Sequence, residues 1–219
     1  MYALDTQSAR EAENVSAFLS ETGKYRGTFT RAQKLVSTNK GTHGIGFTFA
    51  DDSKQTTRFD IWVQDKDGKP LAGRKMLDAI MVCVRAKRAD VAKGKVERYD
   101  YNSRRMVTED AEVFPELVGK KIGLLLRKTE YEKMRDGQLT GETGWRLEPL
   151  VPFDYDSELT AAEVMDHKTK PEKLHTLVAG LADRPLRSRP VVRQQQAPSA
   201  GYDDGYGQSQ PAGMDDIPW

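Results

Sequence analysis

The chain contains a single cysteine, Cys83, so a disulfide framework is excluded, and its place in the apolar run Leu77–Val84 reads as a buried small hydrophobe. No stretch reaches the ~18 consecutive apolar residues that a membrane helix needs. The opening Met1-Tyr2-Ala3-Leu4-Asp5-Thr6 has no basic start followed by an apolar run. A soluble, cytoplasmic protein with no membrane partner is therefore expected. Histidine is equally scarce: His43, His167 and His175 are scattered, and one cysteine cannot build a Cys-x-x-Cys zinc site. The segment Gly41-Thr42-His43-Gly44-Ile45-Gly46 lacks the Gly-Lys-Ser/Thr of a phosphate-binding loop and leads into a strand. The acidic pairs Asp51/Asp52 and Asp154/Asp156 have the chemistry to hold Mg²⁺ in a nuclease, but turn formation explains them at least as well. No catalytic residue, metal or cofactor is expected, and no internal repeat is visible.

What is present is an uneven distribution of charge. The whole chain of 219 residues carries a formal +1, yet residues 194–219 hold Asp203, Asp204, Asp215 and Asp216 with no Lys or Arg. Residues 1–193 then hold 34 basic and 29 acidic side chains, a balance of +5 on a body long enough for a hydrophobic core. From Gln194 onward the Gln, Gly, Pro, Ser and Tyr composition offers too little apolar surface to offset ordering, so disorder is expected there. Pro185 and Pro190 mark the passage into that linker. The expected organisation is a partly helical extension over 1–22, a folded body over 23–184, and a disordered linker with an acidic tip over 185–219.

Within the body, short runs separated by Gly- and Asp-rich turns predict strands near Lys24–Leu35, Gly44–Ala50, Thr56–Gln64, Lys95–Tyr101, Val107–Glu112, Lys121–Tyr131 and Trp145–Val151. Met76, Leu77, Ile80, Met81 and Val84 recur at helical spacing, which predicts a helix over Arg74–Arg85. Two further helices are expected, one opened by the capping box Thr160-Ala161-Ala162-Glu163, the other with Pro171 in its first turn. This order suits a mainly β fold, an OB-like Greek-key barrel with a few accessory helices, better than a sandwich.

Aromatic and basic residues interleave on several of these strands, the pattern used by single-strand binders that stack bases on rings and hold phosphates on cations. Alternation over Thr57–Val63 sends Phe59, Ile61 and Val63 to the core and Arg58, Asp60 and Trp62 to the opposite face. Trp62 beside Arg58 suits a base and its phosphate; the alternative is a ring packed under a helix. The first strand offers Tyr25, Arg26, Arg31 and Lys34, with Phe29 assigned to the core, and the following polar loop offers Lys40. The densest basic stretch supplies Arg85, Lys87, Arg88, Arg104 and Arg105 around Tyr99 and Tyr101, on a hairpin able to close over DNA, whereas Lys93 and Lys95 read as ordinary solvated surface.

The last residues, Met214-Asp215-Asp216-Ile217-Pro218-Trp219, resemble the acidic tip of bacterial single-stranded DNA-binding proteins, with Trp219 in place of the usual Phe and one Asp fewer. Asp215, Asp216, Ile217, Pro218 and Trp219 form the expected protein-binding element: a ring for an apolar pocket, a terminal carboxylate for a cation, and aspartates for a basic rim. Gly41–Ala86, with its Gly-Ile-Gly-Phe-Thr-Phe and Arg-Phe-Asp-Ile-Trp-Val strands, resembles phage replication and recombination accessory proteins, as does Phe114–Gly123. The resemblance implies an OB-fold protein of a bacteriophage that coats single-stranded DNA and recruits replication or recombination proteins through its tip. Association into a homo-oligomer is compatible with this reading. The competing expectation is an adaptor that docks on a helicase, primase or recombinase without strong DNA affinity of its own.

Overall fold

In the computed structural model, residues 17–100, 104–135 and 138–186 are described. The expected tail, the tip from Asp215 to Trp219 and most of the N-terminal extension lie outside them. Strands β1 (Gly23–Val36), β2 (His43–Asp51) and β3 (Thr56–Gln64) form an antiparallel meander. Each strand has one apolar face, and the period-2 alternation fixes which side is buried. On β3, Phe59, Ile61 and Val63 point inward while Arg58, Asp60 and Trp62 stay exposed. Asp51 closes the second turn, its Oδ1 accepting the Gln55 N–H at 2.8 Å. Helix α1 (Gly73–Cys83) buries Leu77, Ile80 and Cys83 at three-residue steps and stops just before Arg85, whose φ is 57°.

Two hairpins share the other edge of β1. The first, β4 (Ala92–Asp100) with β5 (Arg105–Val113), touches β1 only at its root, where Gln33 pairs with Val113 and the Phe114 N–H donates to the Ala32 carbonyl at 2.9 Å. The second, β6 (Lys121–Arg135) with β7 (Gln138–Phe153), pairs along Gly23–Thr28 and then runs on past the start of β1. Both strands of this hairpin are longer than their sequence suggests, because the distal halves are largely exposed and bury no alternate residue. Residues 184–186 continue the body: the Arg184 N–H donates to the Lys128 carbonyl at 2.8 Å, and the Glu130 N–H donates to that of Arg184 at 2.9 Å.

One expectation needs correction. The fold is mainly β and antiparallel, with few helices, but the sheet is not a closed barrel. Among the described residues, β7 approaches β3 without a hydrogen-bonded ladder between them. Part of the β3 edge is covered instead by residues 17–19, with the Leu19 N–H on the Thr56 carbonyl and the Thr56 N–H on that of Ala17, both at 2.9 Å. Those residues are extended, and residues 1–16 of the expected extension lie outside the described residues. The edge of β3 satisfies part of its backbone groups with them.

The main core is built on four rings: Phe29 lies 4.6 Å from Phe47, and Phe47 lies 5.6 Å from Phe59, between centroids, with Phe49 edge-on to Phe29. A second, smaller cluster joins Leu125 and Phe153 to Leu174 of α3 (Glu172–Ala179). The preceding α2 (Ala161–Met165) opens with the expected capping box, the Thr160 N–H donating to Glu163 Oε2 at 2.9 Å. Glu163 Oε1 also accepts the Lys173 N–H at 2.8 Å, so one carboxylate ties the two helices together. The second cluster depends on Gly123, where a Cβ would stand 1.9 Å from the Phe153 ring. Gly123→Val is expected to destabilise the fold by about 1–3 kcal/mol through overpacking, read as a lowered urea midpoint with unchanged slope.

Candidate nucleic-acid interface

The outer face of the β1–β2–β3 meander is organised by a β-bulge. Phe29 pairs with Phe49 but Arg31 pairs with Thr48, so Thr30 is the extra residue and the side-chain parity of β1 flips. Arg31, Gln33 and Leu35 therefore face outward with the exposed residues of β3. Three rows cross the sheet: Arg31–Thr48–Arg58, Gln33–Gly46–Asp60 and Leu35–Gly44–Trp62. The middle strand contributes only small residues, and the flanking strands contribute large ones. The Trp62 indole lies over Gly44, where a Cβ would come within 2.8 Å of the ring, and Leu35 covers Gly46 at 3.0 Å. One side of the ring is thus seated on backbone while Trp62 stays 37% exposed, and it is not covered by a helix.

Burial lowers the Arg31 guanidinium below its ordinary value, with Arg58 adding to the effect and Glu109 and Asp60 opposing it. Burial likewise raises the Asp60 carboxyl, against the pull of Arg31. The β4–β5 hairpin leans over this end of the face, leaving a cleft of about 680 Å³ lined by Arg31, Arg58, Lys93 and Lys95. Lys93 and Lys95 are exposed, as expected of solvated surface, and border this cleft. At the other end, Lys40 is exposed in the β1–β2 turn, where a Cβ on Gly41 would come within 3.3 Å of Lys66 in the turn after β3.

The remaining candidates are dispersed. Tyr25 is half-buried with its hydroxyl donating to the Glu21 carbonyl at 2.8 Å, and burial raises its pKa, so it is occupied structurally. Arg26 lies on the outer face but against the Tyr155 ring, 5.3 Å from its centroid, and Lys121 approaches the same ring at 4.8 Å. Lys34 is committed to Glu112 at 2.7 Å and tethers the β4–β5 hairpin. Arg88 pairs with Asp90 at 2.8 Å, Lys87 is exposed nearby, and Arg85 reaches Asp154 at 3.5 Å, away from the cleft. Arg104 and Arg105 are exposed at the hairpin tip. Tyr99 pairs through its backbone with Met106, its side chain being outside the described set, as is Tyr101 altogether.

Sequence reasoning overlooked the second hairpin. There Arg146 lies 5.2 Å from the Tyr131 ring and Lys128 lies 5.7 Å from that of Trp145, on opposite faces. The signal was the same ring-and-cation alternation, in Lys128–Tyr131 and Trp145–Arg146.

Both acidic pairs serve turns. The Tyr155 hydroxyl donates to Asp52, and Asp154 Oδ1 accepts the Ser157 hydroxyl at 2.8 Å and the N–H groups of Asp156 and Ser157. Burial pushes the Asp154 carboxyl up, but these hydrogen bonds and Arg85 outweigh it and hold it below the usual 3.8. A depressed carboxylate contributes stability above its unfolded pKa and loses it as pH falls through the folded one. The urea midpoint is therefore expected to drop below about pH 4, and Asp154→Asn to lower the midpoint at pH 7 while flattening that acid limb. Burial, with Asp154 nearby, pushes the Cys83 thiol up to about 12, which leaves it inert as a nucleophile. Among the described residues no group of His, Cys, Asp and Glu could hold a metal, and no helix is long and apolar enough to cross a membrane. No protein-family model matches this chain, and no curated protein matches it.

Proposed function

We propose that the protein binds single-stranded DNA without sequence preference on the outer face of β1–β2–β3. The observation that carries this reading is the set of outward side chains flanking β2, with the Trp62 ring laid over Gly44 and with Arg31 and Arg58 aligned across Thr48. A ring seated on a glycine offers its free side to a base, and the two guanidiniums of the Arg31–Thr48–Arg58 row, four residues along, suit a phosphate of the same strand. Duplex DNA has its bases stacked internally and offers none to Trp62, which supports a preference for unpaired strands.

The order β1–β2–β3, α1, then β6–β7 back on β1 supports an OB-like body in which β4–β5 is an inserted hairpin. The proposed role is that of a phage-type coating protein in replication or recombination, acting in the host cytoplasm. Its acidic tip, Asp215 to Trp219, would recruit partner proteins. Binding is not catalysis, and no enzymatic step is part of the proposal. The test is intrinsic fluorescence: oligo-dT should quench tryptophan emission, and Trp62→Phe should remove most of the quenching while Trp145→Phe should not. Equal quenching in wild type and Trp62→Phe would move the site away from this face.

A further inference from the structure

The cleft beneath the β4–β5 hairpin differs from the rest of the outer face. Arg31 Nε is buried at its edge without a hydrogen-bond partner, while Nη2 of the same guanidinium donates to Gln33. A buried guanidinium N–H left unpaired is costly and calls for an explanation, a bound water, ion or ligand among them. Arg58 lies close enough to be felt electrostatically by Arg31, and Lys93 and Lys95 line the same space. Glu109 and Asp60 offset part of this charge. The opposite wall is apolar, formed by Val96, Met106, Val113, Pro115 and Val118. At about 680 Å³ the cleft lies within the size range of small-ligand sites.

We infer that this cleft is a seat for one nucleotide unit, with its phosphate on Arg31 and Arg58 and its base against the apolar wall of the β4–β5 hairpin. The two halves of the cleft match the two halves of a nucleotide: paired guanidiniums bind a phosphate through several charge-assisted hydrogen bonds, and the apolar wall accepts a ring. Within a bound strand the seat holds one residue under the hairpin, next to the base stacked on Trp62, and in that form it rests on the nucleic-acid reading of the outer face. The same chemistry would hold a free nucleoside monophosphate.

The test follows the arginine Nε–H resonances of the ¹⁵N-labelled full chain, Arg31 being assigned by its loss in Arg31→Lys. Inorganic phosphate, dTMP and oligo-dT are added in separate titrations, and strand binding is measured in parallel by anisotropy. The Arg31 resonance is expected to shift with dTMP and with oligo-dT, dTMP acting at a concentration about tenfold below that of phosphate. Met106→Glu, at an exposed position on the wall, should weaken both by about tenfold. An unmoved Arg31 resonance while oligo-dT binds would overturn the seat and leave the nucleic-acid reading of the outer face standing. A shift with dTMP in a protein that binds no oligo-dT would uphold the seat for a free nucleotide and sink the coating function. Phosphate acting as well as dTMP would overturn the role given to the apolar wall.

Discussion

Replacing Phe29 by alanine is expected to destabilise the protein by about 3–5 kcal/mol, the largest single effect on folding that the structure implies. Phe29 is fully buried and touches the rings of Phe47, Phe49 and Phe59, at centroid distances of 4.6, 6.0 and 6.3 Å. Truncation removes the transfer energy of the ring and leaves a cavity that three other rings, held on two further strands, cannot fill by relaxing. The residue also stands immediately before the Thr30 bulge, and its carbonyl accepts the Gly119 N–H at 2.8 Å. Loss of the ring should therefore loosen the segment that turns Arg31 outward. Guanidinium unfolding measures the first effect. A loss under about 1 kcal/mol would mean that this aromatic cluster is not the centre of the core.

Trp62→Ala is expected to weaken oligo-dT binding by about 1–3 kcal/mol, roughly five- to 150-fold, the cost of removing one stacking platform. The fold should survive, because Trp62 is partly exposed and its neighbours Ile61 and Val63 carry the core contacts of β3. Trp62→Phe keeps a smaller ring over Gly44 and should restore most of the affinity. An equal loss for Trp145→Ala would instead locate the strand on the β6–β7 hairpin, where Lys128 accompanies that ring.

The strands were legible because each buries one face, and alternation in Thr57–Val63 was enough to place Phe59, Arg58 and Trp62 correctly. The capping box at Thr160 and Glu163 was legible because two side chains at fixed spacing satisfy helix-end groups locally. The bulge at Thr30 was not, since nothing in Thr28-Phe29-Thr30-Arg31 marks an extra residue. Strict alternation would have put Arg31 inside with Phe29. The partners of Lys34, Arg85 and Arg26, namely Glu112, Asp154 and Tyr155, are distant in sequence, so commitments that remove these cations from a free surface follow only from the fold. The open barrel has a similar origin: closure depends on the approach of β7 to β3, which no local pattern encodes.

The central claim is sequence-independent binding of unpaired DNA, and its most direct test is fluorescence anisotropy with labelled oligo-dT and a matched duplex, each at two salt concentrations. The account predicts tight binding to oligo-dT that weakens as salt rises, because arginines and lysines displace the counterions of the phosphates into solution, with little binding to the duplex. Binding to neither, or equal binding to both, would contradict it.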